Sequence, residues 1–415
     1  MIENPVAGRD YPQRLADARA WFATDEDCLD YLDWLRWPDG FACPRLCRAA
    51  RGPRGKDGLR RCSRCRRRVS ATAGTAFQDT RTPLSVWFEA AWLMAVPANG
   101  VSALTLSKTL PVGSYQTAWT MLAKYRAAIR QAPKARLSGV VEVDEWYHGG
   151  VRQGGDGLTG KDLVVAAVER AERGRGFGRV RFQVVENRSW WQLRKAITAS
   201  VEPGSRIITD GLSAYIRATA GYAHEPLNET APGTPPAHEV LPGVHRVFSL
   251  CDRWLLGTHQ GGVQSEHLPE YLDEWAFRWN RRNSRHRGMP FMRLLELAAA
   301  AAPATYRDLA RGGAPKSAQP PAPTGGRWPG TLAVVPLERP WRQAASRRRK
   351  LHRTFTIPPK RRSANEPLTR ANTGQSSGQP FRRLADGAST RGPFANASSI
   401  GWDSVDGAGQ NGDGI

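Results

Sequence analysis

The stretch Gly139-Val140-Val141-Glu142-Val143-Asp144 places a carboxylate at the end of a short apolar run rich in valine. A second stretch, Arg206-Ile207-Ile208-Thr209-Asp210-Gly211, repeats this arrangement. Each pattern predicts a buried β-strand that ends at its aspartate. Carboxylates at strand ends are held rigidly enough to bind divalent metal ions. We therefore predict a two-metal site for phosphodiester chemistry built on Asp144 and Asp210.

The sequence around these aspartates predicts a sheet with helices. Runs rich in valine predict strands at 139–144, 162–168 and 178–185, and an apolar run predicts another at 206–209. Helical periodicity is present at 189–200, 245–256 and 265–281. Three strands, a helix, a strand and a helix are typical of an α/β fold of the ribonuclease H-like type.

The composition of the chain indicates the kind of molecule that it binds. The 415 residues carry a net charge of +22 and a pI of about 10.5, as expected of a protein that binds a polyanion such as DNA. The sequence lacks an apolar run of about 18 residues and an N-terminal signal pattern. We therefore expect no membrane association, and we expect the protein in the cytoplasm, at the nucleoid.

Cysteine spacing predicts a metal site. In a reducing compartment, Cys43-x3-Cys47 followed after fourteen residues by Cys62-x2-Cys65 predicts a structural zinc ion with four thiolate ligands. The other cysteines, Cys28 and Cys251, are expected to be small apolar residues.

A helical module is predicted between the cysteines and the sheet. Residues 83–98 form an apolar helical pattern, and 101–110 and 114–131 predict a helix, a short turn and a longer helix with Ser114 as N-cap. This outline fits a helix-turn-helix that binds DNA and equally fits an ordinary α-hairpin.

The predicted domain organisation follows. We expect an N-terminal helical segment at 1–38, a zinc ribbon at 39–72, a helical DNA-binding module at 80–135, a ribonuclease H-like domain at 136–300 and a disordered basic tail at 311–415. The tail is rich in Pro, Gly, Ser and Arg and supplies about half of the net charge.

Six segments carry a resemblance to a known family. They are WPDGF (37–41), RRVSATAGTAFQDTRTPLSVWF (67–88), VEVDEWYHGG (141–150), ITDGLSAY (208–215), HRVFSLCDRWLLGTHQG (245–261) and YLDEWAFRWNRR (271–282). In these segments the chain resembles bacterial insertion-sequence transposases of the ISXO type, which join a zinc ribbon to a DDE-type, integrase-like catalytic domain.

The resemblance implies a DNA transposase. It would bind the terminal inverted repeats of its element as a homodimer or higher oligomer, then cut the DNA and join it to target DNA with Mg²⁺ or Mn²⁺. Asp144 and Asp210 match the first two catalytic positions, and His245 matches the third. The lysine expected seven residues later is Asp252 here, which would repel a phosphate.

Two further departures accompany Asp252. The first zinc knuckle, Cys43-Pro44-Arg45-Leu46-Cys47, is one residue longer than the usual Cys-Pro-x-Cys. Relatives usually end near the start of the tail, which leaves read-through of a displaced stop codon or a local frameshift as explanations for residues 311–415. Two alternatives therefore stay open: a catalytically decayed copy that only binds DNA with its zinc ribbon, and a metal-dependent DNA nuclease.

Other carboxylates compete for the metal. Glu142 alternates with Asp144 along one strand face, and Glu145 follows directly. Glu274 belongs to an amphipathic helical pattern, so we expect it to face solvent or to pair with Arg278.

Overall fold

The computed structural model describes residues 5–45, 47, 54–55, 57–149, 160–171, 176–227 and 237–312. All of them belong to one compact unit, Met1–Phe355. The second unit, Thr356–Ile415, and the predicted disordered tail beyond residue 312 lie outside the described residues.

The first part of the chain is mainly helical. Its elements are α1 (Leu15–Trp21), α2 (Asp25–Arg36), β1 (Arg60–Arg61), β2 (Arg68–Val69), α3 (Leu84–Ala95), α4 (Ala103–Thr109) and α5 (Tyr115–Gln131). Strands β1 and β2 pair as a small antiparallel hairpin. Ser114 caps α5 as predicted, because its hydroxyl accepts a hydrogen bond from the backbone N–H of Thr117.

The second part contains the large sheet. Its elements are β3 (Val140–His148), β4 (Asp162–Arg170), β5 (Phe177–Val185), α6 (Trp190–Ser200), β6 (Arg206–Asp210), α7 (Ser213–Ala218), β7 (Ala223–Leu227), α8 (Ala237–Val240), α9 (Pro242–His259), α10 (Leu268–Trp279), α11 (Gly288–Ala300) and α12 (Tyr306–Ala310).

Strand order gives the sheet its type. The five strands lie in the order β5-β4-β3-β6-β7, with β4 antiparallel to both of its neighbours, β3 and β5, and with β6 and β7 parallel to β3. This mixed sheet is ribonuclease H-like, as predicted. The edge strand β7 was not predicted, because its sequence AHEPL is short and contains a proline, which only an edge strand or a bulge accepts.

Alternating residues of the sheet serve two different cores. Val164, Ala166 and Val168 of β4 pack with α9 and α10 on one face. Leu163 and Val165 point to the opposite face, where they pack with α6 and α7. This alternation follows from the two-residue period of a strand and places two helical layers on opposite sides of the sheet.

The helical module shares a core with distant segments. Phe22, Phe88 and Tyr125 belong to a cluster that also contains Phe277 of α10 and Phe291 of α11. Besides this apolar core, the fully buried Arg126 of α5 binds Glu274 of α10, with 2.7 Å between Nε and Oε2. Helix α5 is thereby attached to a helix that packs on the large sheet.

One local prediction was wrong, and another was confirmed in one of its two alternatives. Asp144 lies in the middle of β3, because residues 145–148 continue to pair with β4 from Glu145–Val165 to His148–Asp162. Glu274 does not face solvent. It is fully buried between two arginines, although one of them is Arg278 as predicted, with 3.8 Å between Nε and Oε1.

Candidate active site and zinc site

Parallel pairing brings the two aspartates together. Strands β3 and β6 pair in parallel from Val140–Arg206 to Glu142–Ile208, and continuing this register sets Asp210 beside Asp144. Carboxylate oxygens of Asp144, Glu145 and Asp210 all lie within 4.8 Å of one another. The structure therefore places three carboxylates in one cluster, of which two were the residues predicted.

Backbone groups orient the two aspartates. Asp144 Oδ1 accepts a hydrogen bond from the N–H of Glu145 at 2.8 Å, and Asp210 Oδ1 accepts one from Leu212 at 3.1 Å. The second contact closes the turn that leads from β6 into α7. Each aspartate has one oxygen fixed by the backbone and a second oxygen that can serve as a ligand.

Glu145 is held by two side chains from elsewhere in the fold. Tyr215 of α7 donates its hydroxyl to Oε2, and Arg188 donates Nε–H to Oε1, each at 2.5 Å. Burial and the neighbouring carboxylates raise the pKa of Tyr215 well above its usual value, so the hydroxyl stays a donor. Burial opposes the charge of Arg188, but Glu145 raises the pKa of Arg188 overall.

His245 lies at the edge of this cluster. It belongs to the first turn of α9, and its Nε2 is 3.8 Å from Asp144 Oδ2. The structure thus brings the third residue implied by the resemblance next to Asp144, while the compact set of ligand atoms includes Glu145 rather than His245.

Glu142 fixes the start of α9. Its carboxylate is fully buried and accepts hydrogen bonds from the N–H groups of Gly243 at 2.7 Å and Val244 at 3.1 Å, as well as from Arg170 at 2.6 Å. A Cβ at position 243 would stand 2.7 Å from Glu142 Oε2, so glycine is required for this approach. Glu142 therefore positions the helix that carries His245.

The carboxylate of Asp252 forms hydrogen bonds with two side chains of β3. His148 Nδ1 lies 2.9 Å from Asp252 Oδ1, and Trp146 Nε1 lies 3.4 Å from the same oxygen. A carboxylate can only accept here, so Nδ1 of His148 is the donor. The acidic residue at the position where the resemblance implies lysine thus links α9 to the strand of Asp144.

The carboxylate cluster suits a divalent metal ion. Mg²⁺ and Mn²⁺ prefer carboxylate oxygens, and two oxygens bound to one octahedral Mg²⁺ stand roughly 3 to 4 Å apart. The spacing of the three carboxylates is compatible with such an ion. Asp144, Asp210 and Glu145 can therefore hold metal, with His245 in reach of Asp144.

The four predicted zinc ligands also meet. The Sγ atoms of Cys43, Cys47, Cys62 and Cys65 lie within 4.8 Å of one another. The 3.6 Å between Cys43 and Cys65 is close to the roughly 3.8 Å edge of a tetrahedron with Zn–S bonds of about 2.3 Å. The longer first knuckle still brings Cys47 into the set.

Local backbone geometry shapes the second knuckle. Arg66 adopts a left-handed conformation with φ of 61°, which turns the chain back so that Cys62 N–H bonds Arg67 O. The N–H of Cys65 donates to Cys62 Sγ and lowers the pKa of Cys62 to about 6. Burial and the other thiols raise the pKa of Cys47 to about 12, which a bound cation would reverse.

The remaining cysteines, Cys28 and Cys251, are buried, as expected of small apolar residues. None of the helices in the described ranges combines the length and the apolar character that a bilayer span requires.

Two family models match separate parts of the chain. A family model described as the ISXO2-like transposase domain matches residues 136–280, and one described as the transposase zinc-ribbon domain matches residues 23–68. No curated protein matches the chain. Among solved structures, the catalytic core domain of BIV integrase matches with 15% identity and a TM-score of 0.25, covering 38% of this chain and 94% of that chain.

The class of protein is therefore that of the DNA-binding polynucleotidyl transferases with a DDE-type catalytic domain, which use divalent metal. More specifically, residues 136–280 match the catalytic domain of ISXO2-like transposases, and residues 23–68 match a transposase zinc ribbon.

Sequence reasoning missed the positioning roles of Glu142, Glu145 and Tyr215. The available signal was the charged pair Glu142 and Glu145 inside an apolar strand, since buried charges require partners. This signal shows that Glu142 and Glu145 have partners in the fold, but it does not identify those partners.

Proposed function

We propose that this transposase binds the terminal inverted repeats of an insertion sequence and uses Asp144 and Asp210 to cut and join DNA with Mg²⁺ or Mn²⁺. The observation that carries the proposal is the meeting of these two aspartates on adjacent parallel strands. His245 and Glu145 are the two candidates for the third ligand, and we propose His245 from the resemblance.

Bound divalent metal would supply Lewis-acid activation of the attacking oxygen and charge stabilisation at the phosphate. The residues of the chain hold and orient the reacting groups. Asp144 and Asp210 offer carboxylate oxygens from rigid strands, and Glu142 fixes the helix of His245. In the first step water attacks a phosphodiester and leaves a 3′-hydroxyl. In the second step that hydroxyl attacks target DNA and displaces its 3′-oxygen.

Recognition of the element ends is assigned to the zinc ribbon and the helical module, with the predicted boundaries 39–72 and 80–135. Helix α4, a short turn and helix α5 support a helix-turn-helix, and the N-terminal turn of α5 exposes Tyr115. We propose that two copies of the chain, or more, bind two element ends, and that the protein acts at the nucleoid in the cytoplasm.

The test uses purified protein, labelled DNA with the element's own ends, and Mg²⁺ or Mn²⁺. We expect nicked and joined products from the natural protein and none from Asp144→Asn, which keeps the size of the side chain but removes its charge. Asp39→Asn is a matched control, since it removes the same charge at an exposed turn position.

The outcomes separate the alternatives. Cutting without joining would identify a nuclease. Binding of the ends without cutting would identify a decayed copy that only binds DNA. Replacing Glu145 with Gln and, separately, His245 with Ala decides the third ligand, because loss of the true ligand weakens Mn²⁺ binding measured by calorimetry.

A further inference from the structure

Two exposed tryptophans lie beside the carboxylate cluster. Trp190 and Trp191 open α6 with 41% and 49% of their surfaces exposed, and Ile216 on α7 is 65% exposed. Arg217 places its guanidinium 5.1 Å from the ring centre of Trp190. We call Trp190, Trp191, Ile216 and Arg217 the tryptophan patch.

Both helices of the patch are attached directly to the active-site cluster. Arg188, two residues before Trp190, binds Glu145, and Tyr215, one residue before Ile216, binds the same carboxylate. Arg194 of α6 also donates to Ala220 O at 2.9 Å, just after α7, which ties the two helices together. The patch is therefore held in a fixed position next to the reacting groups.

The patch is on the opposite side of the sheet from the helical module. Helices α6 and α7 pack on the face formed by Leu163 and Val165. Helix α5 is joined through the Arg126–Glu274 ion pair to α10, which packs on the other face. The patch and the helical module therefore lie on opposite faces of the sheet and can contact two different DNA molecules.

The chemistry of the patch fits DNA whose bases are partly unstacked. Aromatic rings stack on any base, arginines neutralise phosphates, and apolar side chains such as Ile act as wedges at kinked base steps. We propose that the tryptophan patch binds target DNA during strand transfer and holds it bent, with a base step opened against Trp190 and Trp191. This inference rests on the proposed strand-transfer function.

The test compares the Trp190→Ala/Trp191→Ala double variant with Trp190→Phe/Trp191→Phe, which keeps the aromatic faces. A Val6→Ala variant controls for loss of an exposed apolar side chain elsewhere. End binding, end cleavage, and joining of pre-cut ends to increasing target DNA are measured separately. We expect the alanine variant to need roughly tenfold to a hundredfold more target for half-maximal joining, with end binding and cleavage unchanged.

A target with a mismatched base pair should partly restore joining by the alanine variant, because such DNA bends more easily. Unchanged joining would overturn the inference. An equal fall in end binding and cleavage would also overturn it. A change from dimer to monomer in sedimentation would overturn it as well, because it would assign the patch to contact with a second copy of the chain.

A second measurement does not depend on catalysis. A DNA duplex that carries 2-aminopurine in a mismatched base pair is titrated with protein. Stacking of 2-aminopurine on tryptophan quenches the fluorescence of 2-aminopurine. Quenching by the natural protein and the phenylalanine variant, but not by the alanine variant, supports the patch even if the natural protein neither cuts nor joins. Equal quenching by all three overturns it.

Discussion

Replacing Glu274 with alanine should strongly destabilise the protein. Glu274 binds Arg126 at 2.7 Å, with side-chain exposures of 1% and 2%, and its second oxygen faces Arg278. The alanine variant would leave two guanidinium groups buried without a counter-ion. Burial lowers the pKa of Arg278. Burial also acts to lower the pKa of Arg126, but Glu274, Tyr271 and Glu270 together raise it above its usual value. The carboxylate therefore stabilises the charge on Arg126.

The size of the effect follows from the loss of one partner of a buried pair, which typically costs about 3–5 kcal/mol. For a domain of this size the corresponding fall in Tm is roughly 6–20 °C. Cation–π contacts of Arg126 with Tyr271 at 3.8 Å and of Arg278 with Trp254 at 4.7 Å remain, which places the expected value toward the lower end.

The assay is urea unfolding followed by circular dichroism, with Glu225→Ala as the control. Glu225 pairs with Arg206 at the surface, so its removal should change the free energy of unfolding by about 1 kcal/mol or less. Adding Arg126→Ala to Glu274→Ala should cost less than the sum of the single variants. Equal, small effects of Glu274→Ala and Glu225→Ala would refute the reasoning.

Three further predictions concern separate sites. Cys62→Ser should reduce bound zinc below one ion per chain, measured by atomic absorption, and weaken end binding. Glu142→Ala should cost about 3 kcal/mol in urea unfolding and reduce joining, because Arg170 and the first N–H groups of α9 lose their acceptor. Burial lowers the pKa of His259 to about 4, compared with about 6.5 when unfolded. Protonation of His259 therefore favours unfolding. The free energy of unfolding should be fully present above about pH 6.5 and should fall by up to about 3 kcal/mol toward pH 4. The urea midpoint of the His259→Phe variant should fall less over the same pH range.

Much of the catalytic sheet could be predicted because its central strands β3, β4 and β6 are largely buried and their sequences are mainly apolar. The strand of Asp210 ends where predicted, since Gly211 and the turn to α7 follow directly. The strand of Asp144 does not, because residues 145–148 gain partners on β4 that local sequence cannot reveal. Tertiary pairing decided that boundary.

The side-chain partners could not be predicted for the same reason. Helical periodicity places Glu274 away from the apolar stripe of Leu268, Leu272 and Trp275, which favours solvent. The counter-ion that makes its burial possible is Arg126, which lies in another element 148 residues away. Likewise, the role of Glu145 depends on Arg188 and Tyr215, neither of which is adjacent to it in sequence.

The acidic residue at position 252 is best understood through its partners. Alone, a carboxylate two turns after His245 would repel phosphate. Here, Asp252 is hydrogen-bonded by His148 and Trp146, on the same strand as Asp144, while Glu142 of that strand holds the first turn of α9. Helix α9 is thus attached to β3 on both sides of His245, through Glu142 before it and through Asp252 after it. A lysine at 252 would face two N–H donors, so Asp252 is by itself weak support for a decayed site.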